Sequence, residues 1–166
     1  MKLPVMGAVI AFAVVLIDQM VKAGVLAHFS GSEVDPRPLT PFLDLTLRWN
    51  RGISFSLFAR VSASSQIALL ALTVAATGLL TLWLFRCRSA LPAVGLGLII
   101  GGALGNAIDR VAHGAVVDYL DLHASGRHFF VFNLADAAIN IGVALLILDL
   151  LLVPRAPKGS PSRGAS

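Results

Sequence analysis

Four long apolar runs alternate with shorter polar segments along the chain. They extend from about Leu3 to Leu26, Ile67 to Phe85, Leu91 to Ile108 and Leu134 to Val153. Because a helix needs about 20 mainly apolar residues to cross the hydrocarbon of a bilayer, each run approaches the length of a transmembrane helix. The first run contains Asp18 and Lys22 and is longer than the apolar region of a cleaved signal sequence. We therefore predict four permanent spans.

The two longer connections show the alternation of apolar and polar residues that is typical of half-exposed strands. In the first, residues 43–49 alternate, residues 50–52 (Asn-Arg-Gly) supply turn chemistry, and residues 53–57 alternate again. In the second, residues 116–122 and 128–132 are rich in strand-forming side chains and flank a short polar turn. The pattern predicts one hairpin in each connection.

The composition supports a membrane protein. Hydrophobic residues make up 57% of the 166 positions and charged residues only 13%, whereas soluble domains are nearer half apolar and a quarter charged. The net charge of +4 does not indicate a nucleic-acid partner, because the basic residues form no stripe with interleaved aromatic residues. The single cysteine, Cys87, excludes an internal disulfide, and the four histidines lack the spacing of metal ligands. We expect no metal ion and no cofactor.

The distribution of basic residues predicts the orientation of the spans. Positively charged side chains without acidic neighbours flank the four runs on one side of the membrane: Lys2, Arg86, Arg88, Arg155, Lys158 and Arg163. By the positive-inside rule, both termini and the turn at 86–90 lie in the cytoplasm, and the connections at about 27–66 and 109–133 face outward. Residues 1–153 then form a single membrane domain, and the Pro-, Gly- and Ser-rich tail at 154–166 is expected to be disordered.

Two acids at the edges of the spans carry the candidate chemistry, because a charged group in hydrocarbon is costly unless it is paired or hydrated. Asp136 lies in the first turn of the fourth run, where Asn133 is placed to act as N-cap. Asp118 lies in an apolar stretch just beyond the third run, where desolvation raises the pKa of a carboxyl group. If the two meet, like-charge repulsion makes them share one proton, as in an aspartic peptidase. The alternative is that Asp136 only caps a helix and Asp118 is a solvated loop acid.

Two further groups of polar residues have structural interpretations. Asp18 and Lys22 are four residues apart, so they share a helix face and can neutralise each other in the bilayer. Asn106, Asp109 and Arg110 lie at the outer end of the third run, where they form either an ordered polar rim or a simple interfacial anchor.

Five stretches of the sequence resemble, in order, the motif blocks of lipoprotein signal peptidases. They are residues 18–22 (DQMVK), 50–55 (NRGISF), 101–110 (GGALGNAIDR), 116–119 (VVDY) and 132–136 (FNLAD). The resemblance implies a membrane α-helical fold of four transmembrane helices with a small outer, periplasmic-side β-cradle. It also implies an endopeptidase of the bacterial inner membrane that removes the signal peptide of prolipoproteins, cutting before a cysteine that carries diacylglycerol.

The resemblance implies roles for individual residues as well. Asp118 and Asp136 are then the catalytic pair, which acts without a metal ion or cofactor, and Asp18 and Lys22 belong to a supporting motif in the first span. Seven further positions match residues that line or support the site: Asn50, Gly52, Asn106, Asp109, Arg110, Asn133 and Ala135. The expected partners are prolipoproteins carrying diacylglyceryl-cysteine and membrane lipid, and nucleic acid is not expected.

Two other classes of function are compatible with acids in the spans. A small proton-coupled transporter or channel also has such acids, but here the key acids lie near one interface and the sequence shows no internal repeat. A non-catalytic membrane adaptor would bind a partner through its outer hairpins and use the aspartates as helix caps. Membrane flux without peptide cleavage favours the transporter, and function retained without the aspartates favours the adaptor.

Overall fold

A computed structural model describes residues 2–52 and 63–152 of the chain. Within them lie four helices: Leu3–His28 (α1), Ala63–Phe85 (α2), Ala90–His113 (α3) and Leu134–Leu152 (α4). All four are long and apolar enough to cross a membrane, which confirms the predicted spans. The third helix ends at His113 rather than near Ile108, so that Asp109 and Arg110 belong to the helix itself. The tail at 154–166, for which disorder is expected, lies outside the described residues.

The described residues also contain a small antiparallel sheet. Its strands are Val34–Thr40 (β1), Leu43–Asn50 (β2), Val116–Ala124 (β3) and Arg127–Phe132 (β4), and they lie side by side in chain order. The hairpin predicted in the second connection is confirmed as β3 and β4, joined by Ser125 and Gly126 in left-handed backbone conformations.

The first strand predicted in the first connection is confirmed as β2, which pairs with β1 on one edge and with β3 on the other. Its predicted partner at 53–57 lies outside the described residues. The sequence pattern does not predict strand β1, because the strand contains Pro36 and Pro38 and proline cannot donate to a strand ladder. An edge strand tolerates such residues, and the register of β1 shifts next to both prolines.

Helix α3 forms the centre of the helix bundle and contacts each of the other three helices. Glycines allow two of these close approaches. A side chain at Gly101 would meet the backbone of Ala11 in α1, and a side chain at Gly102 would overlap the carbonyl oxygen of Ala135 in α4. Small residues at such positions let helix backbones approach each other within a membrane. Helices α1 and α4 are therefore held against α3 near the residues that build the site.

The sheet packs on the end of the bundle where α1 and α3 finish and α4 begins. A buried cluster of Phe29, Leu47, Val117 and Tyr119 joins the strands to the end of α1, and Leu134 at the start of α4 packs against it. Burying these side chains removes a large apolar area from water, and such area contributes roughly 25 cal/mol per Å². The cluster fixes β3, and therefore Asp118, beside the first turn of α4.

Candidate active site

The first turn of α4 is built by a reciprocal pair of hydrogen bonds. The backbone amide of Asp136 donates to Oδ1 of Asn133 at 2.9 Å, and the backbone amide of Asn133 donates to Oδ2 of Asp136 at 3.2 Å. This arrangement is a capping box, which satisfies two amides that the helix itself leaves unpaired. Asn133 thus has the N-cap geometry predicted from the sequence. The Asp136 carboxylate is held over the end of the helix.

Asp118 and Asp136 meet on either side of one asparagine. Asn133 Nδ2 donates to Oδ1 of Asp118 at 2.7 Å, while Asn133 also forms the capping bonds to Asp136. Asn50 Nδ2 donates to the second oxygen of Asp118 at 2.9 Å, and Asn106 Nδ2 donates to Oδ1 of Asp136 at 2.8 Å. The structure therefore brings together the two acids and three of the asparagines singled out from the sequence.

Backbone N–H donors determine whether the oxygen or the NH₂ group of two of these asparagines faces the acids. Oδ1 of Asn50 accepts from the backbone amide of Gly52 at 2.9 Å, and Oδ1 of Asn133 accepts from that of Asp136. A backbone N–H can only donate, so the oxygen must lie on that side and the NH₂ group must face the carboxylate. Gly52 has a φ of +99°, a conformation that glycine adopts readily. Its role is to let the chain turn back onto Asn50.

A buried ionic cluster lies directly behind the two acids. Lys22 Nζ is 2.8 Å from Oδ2 of Asp18, as the spacing of the two residues predicts, and 2.7 Å from Oδ2 of Asp109. Asp18 also accepts the backbone amide of Ala135 at 3.1 Å, and Asp109 accepts that of Val117 at 3.1 Å. The cluster therefore ties α1 and α3 to the start of α4 and to the start of β3. Asp109 is a buried part of it rather than an interfacial anchor.

Two residues of this region are not apparent from the sequence. Gln19 Nε2 donates to Oδ1 of Asp109 at 2.9 Å and to the carbonyl of Gly105 at 3.2 Å. The Tyr119 hydroxyl accepts the backbone amide of Leu134 at 3.1 Å, which satisfies a further unpaired amide of α4. Both residues lie inside the stretches that resemble family motifs. Nothing in their spacing, however, indicates which groups they contact.

Arg110 brings a positive charge to the same region. It is half-buried, and its Nη1 donates to the carbonyl of Asn106 at 3.3 Å. Its Nε is buried without a hydrogen-bond partner among the described residues. A guanidinium has five N–H donors, so Arg110 keeps donors that a substrate can engage.

Burial has a strong effect on the ionisation of Asp118, whose residue surface is only 2% exposed. Desolvation, reinforced by the nearby charge of Asp136, raises the pKa of Asp118 to about 6, although hydrogen bonds from Asn50 and Asn133 and the charge of Lys22 oppose the shift. The direction agrees with the expectation from the sequence. The cause is that a charged carboxylate loses hydration in this site that the amide donors only partly replace.

This pKa shift predicts how stability depends on pH. Because the pKa of Asp118 is higher in the folded protein than in the unfolded chain, the folded state binds this proton more tightly. Its contribution to stability is therefore greatest at low pH and is lost as the pH rises through about 6. We expect the wild type to gain about 1.4 kcal/mol relative to Asp118→Asn between pH 7.5 and pH 5, since about one pKa unit of the shift is realised in this range and each unit is worth about 1.4 kcal/mol.

Thermal unfolding in detergent across this pH range measures the effect. Contributions from groups that do not interact with Asp118 are the same in both proteins and cancel in the comparison. Parallel curves for the wild type and Asp118→Asn would show that Asp118 is ionised as easily in the folded protein as in the unfolded chain.

Two aspartate–histidine pairs lie further along the sheet. His123 Nε2 is 2.9 Å from Oδ1 of Asp44, and His128 Nδ1 is 2.8 Å from Oδ2 of Asp121. Within residues 2–52 and 63–152, no three histidine, cysteine or acidic side chains are arranged as metal ligands. Each of these pairs joins two strands of the sheet or two positions of one hairpin, away from the acids beside Asn133.

The chain is similar to known proteins over most of its length. Residues 10–152 match the sequence profile of the family described as signal peptidase (SPase) II. The chain is 47% identical over 161 residues to a lipoprotein signal peptidase of Methylocella silvestris, which covers 96% of this chain and 94% of that one. It is 46% identical over 157 residues to a lipoprotein signal peptidase of Beijerinckia indica, covering 95% and 94% of the two chains. A solved structure of a bacterial membrane enzyme superposes with a TM-score of 0.74 at 31% identity, covering 90% of this chain and 94% of that one.

Proposed function

The chain belongs to the signal peptidase II family, and we propose that it hydrolyses the bond before the diacylglyceryl-modified cysteine of bacterial prolipoproteins. It is a multi-pass membrane peptidase whose substrates are prolipoproteins. One observation carries the finer proposal: Asp118 and Asp136 come from different elements and meet across the buried Asn133. Two carboxyl groups placed so closely can supply a general acid and a general base in one site.

We assign the proton of the singly protonated pair to Asp118. Burial raises the pKa of this residue to about 6, and the negative charge of its partner disfavours a second ionised carboxylate in the same site. Asp136 is then the ionised member and removes a proton from the attacking water. Two carboxyl groups that interact this strongly titrate as a pair, so the assignment describes the predominant microstate.

The reaction then follows from the two ionisation states. The water oxygen forms a bond to the scissile carbonyl carbon while Asp136 takes its proton, and protonated Asp118 donates to the carbonyl oxygen. When the tetrahedral intermediate collapses, the carbon–nitrogen bond breaks, the leaving amine takes the proton held by Asp136, and a hydroxyl group on the former carbonyl carbon returns its proton to Asp118, which restores the starting pair. The free carboxyl end of the signal peptide and the new amino group of the lipidated cysteine are the products.

The neighbouring residues position these groups and the substrate. Asn50, Asn106 and Asn133 hold the carboxylates through their amide donors, and Gly52 and Ala135 shape the backbone around them. Arg110 has further N–H donors besides the one that binds the carbonyl of Asn106, and these donate to a substrate carbonyl. Asp18, Lys22 and Asp109 form the buried support behind the site.

The proposal also includes the membrane in which the protein lies and its orientation there. The protein is a single membrane domain over residues 1–153 in the bacterial inner membrane, with both termini in the cytoplasm and the sheet on the outer side. The arrangement of Lys2, Arg86 and Arg88 supports this orientation through the positive-inside rule. An acidic pair at the end of the bundle has access to water without exposing backbone at hydrocarbon depth. The signal helix and lipid of the substrate reach it laterally from the bilayer.

Cleavage by the purified protein tests the proposal. A prolipoprotein carrying diacylglyceryl-cysteine is incubated with detergent-solubilised wild type, and the products are identified by mass spectrometry. We expect a single cut before the modified cysteine, and a kcat/KM about 100-fold lower for the same chain without the lipid, because binding energy from remote parts of a substrate is used at the reacting bond. A well-folded wild type that leaves the lipidated substrate intact would overturn the proposal and favour transport or adaptor functions.

A further inference from the structure

Lys22 has a second contact that its pairing with Asp18 does not explain. The residue is only 2% exposed, and its Nζ donates to Oδ1 of Asn106 at 3.0 Å in addition to contacting Asp18 and Asp109. A lysine ammonium has three N–H donors and no acceptor. Each donor therefore has one partner, and one of the three partners is an uncharged amide.

This contact determines how the amide of Asn106 is oriented. The oxygen and nitrogen of an asparagine side chain are nearly identical in shape, so hydrogen-bond partners alone decide which one faces a neighbour. Lys22 can only donate, and Asn133 Nδ2 also donates to the same oxygen at 3.1 Å. Oδ1 of Asn106 must therefore face Lys22 and Asn133, which leaves Nδ2 to donate to Oδ1 of Asp136 at 2.8 Å.

We infer that Lys22 is a positioning residue of the catalytic site: by fixing the orientation of the Asn106 amide, it maintains the hydrogen bond from Asn106 Nδ2 to the Asp136 carboxylate. This inference rests on the proposed function of the Asp118–Asp136 pair. Without a donor at position 22, the only described residue that still donates to the Asn106 oxygen is Asn133, whose Nδ2 also donates to Asp118 at 2.7 Å. The amide can then rotate and present its oxygen to the carboxylate, an arrangement that disfavours the charged form of a carboxyl group.

A purely electrostatic role for Lys22 is the competing explanation. The charged groups around Asn106 and Asp136 come from every neighbouring element: Asp18 and Lys22 from α1, Asp109 and Arg110 from α3, Asp118 from β3 and Asp136 itself from α4. Removing Lys22 alone would change the local charge as well as the orientation of Asn106. The two effects have to be separated.

A double substitution separates them. One ammonium and two carboxylates give the Lys22–Asp18–Asp109 cluster a formal charge of −1. In Lys22→Met/Asp109→Asn, only the Asp18 carboxylate remains, so the formal charge is unchanged and the donor to Asn106 is lost. Removing a buried pair together also avoids leaving one charge without its partner.

The pH dependence of kcat/KM is the decisive measurement. The acidic limb of this profile reports ionisation of the free enzyme, and in the double variant we expect it to move to higher pH by about one unit, with kcat/KM lower by about tenfold or more near neutrality. Gln19→Met is the matched control, because Gln19 contacts Asp18 and Asp109 but not Asn106. Its acidic limb should coincide with that of the wild type, even where the melting temperature falls.

An acidic limb that stays in place in a folded Lys22→Met/Asp109→Asn protein would overturn the inference while leaving the cleavage activity of the wild type, and therefore the proposed function, intact. Should the double variant not fold, NMR of wild type labelled with ¹⁵N and ¹³C at asparagine measures which end of the Asn106 amide faces Asp136. The NH₂ signals of Asn106 should then shift at the pH midpoint of the acidic limb more strongly than its side-chain carbonyl signal. The opposite pattern would show that the amide faces the other way.

Discussion

Asp118→Asn and Asp136→Asn are each expected to lower kcat/KM for prolipoprotein cleavage by about a thousandfold or more, because a positioned general acid or base contributes about 10²–10⁴ in rate. Asparagine keeps the shape of the side chain but can neither accept the proton of water nor share a proton. The two residues act as one unit, so the double variant should be little worse than either single variant.

Asp44→Asn is the matched control for these variants. Asp44 is also a buried sheet aspartate, 7% exposed, but its carboxylate contacts His123 and not the catalytic region. We expect this variant to cleave at nearly the wild-type rate. The comparison requires that all variants unfold cooperatively in detergent and elute as the wild type does. Substantial cleavage by folded Asp118→Asn or Asp136→Asn would assign the chemistry to another group and remove the basis of the aspartic mechanism.

The expected loss of activity also has a counterpart in stability. Burial raises the pKa of Asp118 to about 6, so above this pH the folded protein holds a buried carboxylate whose charge is unfavourable for stability, at a position that is needed for catalysis. Asp118→Asn should therefore remove catalysis and also the gain in stability that the wild type shows as the pH falls through about 6. An interpretation of Asp118 as a solvated loop acid predicts neither effect.

The helices could be predicted from the sequence because the bilayer imposes a strong constraint on length and polarity. The sheet could be predicted only in part. Strands β3 and β4 have strand-forming side chains and a local turn, whereas β2 pairs with β3 across a separation that includes α2 and α3. A pattern that is read locally pairs β2 with the nearest alternating segment. The actual partner is set by how α1, α3 and α4 bring distant chain ends together.

The site shows the same division between local and long-range information. The cap of α4 by Asn133 is local, and so is the pairing of Asp18 with Lys22. The contacts that orient the carboxylates are not local: Asn50 reaches Asp118 from β2, and Lys22 reaches Asn106 from another helix. Residue types and spacing can nominate such residues, but the direction of an amide depends on donors that only the folded chain supplies.

Asn133 is the residue whose loss should have the next largest effect, since it contacts both acids and is fully buried. In Asn133→Ala, Asp118 loses the donor at 2.7 Å, and the backbone amide of Asp136 loses its acceptor at 2.9 Å. Among the described residues, Asp118 is then held by Asn50 alone, and the first turn of α4, which carries Asp136, loses one of its two capping bonds. We expect kcat/KM to fall about 100-fold or more, because small displacements of catalytic groups have effects of this size. The melting temperature should fall as well, since loss of an N-cap costs about 1 kcal/mol.

Two comparisons distinguish this catalytic effect from a simple loss of stability. Asn140→Ala removes an asparagine from an exposed position of the same helix, and we expect it to leave cleavage unchanged. Introducing Asn133→Ala into Asp118→Asn should cost little further activity, because the group that Asn133 positions no longer functions there. If Asn133→Ala cleaved within about threefold of the wild type, or if its effect were fully additive with Asp118→Asn, the asparagine would be only a helix cap. The pair of acids would then have to be held together by other contacts.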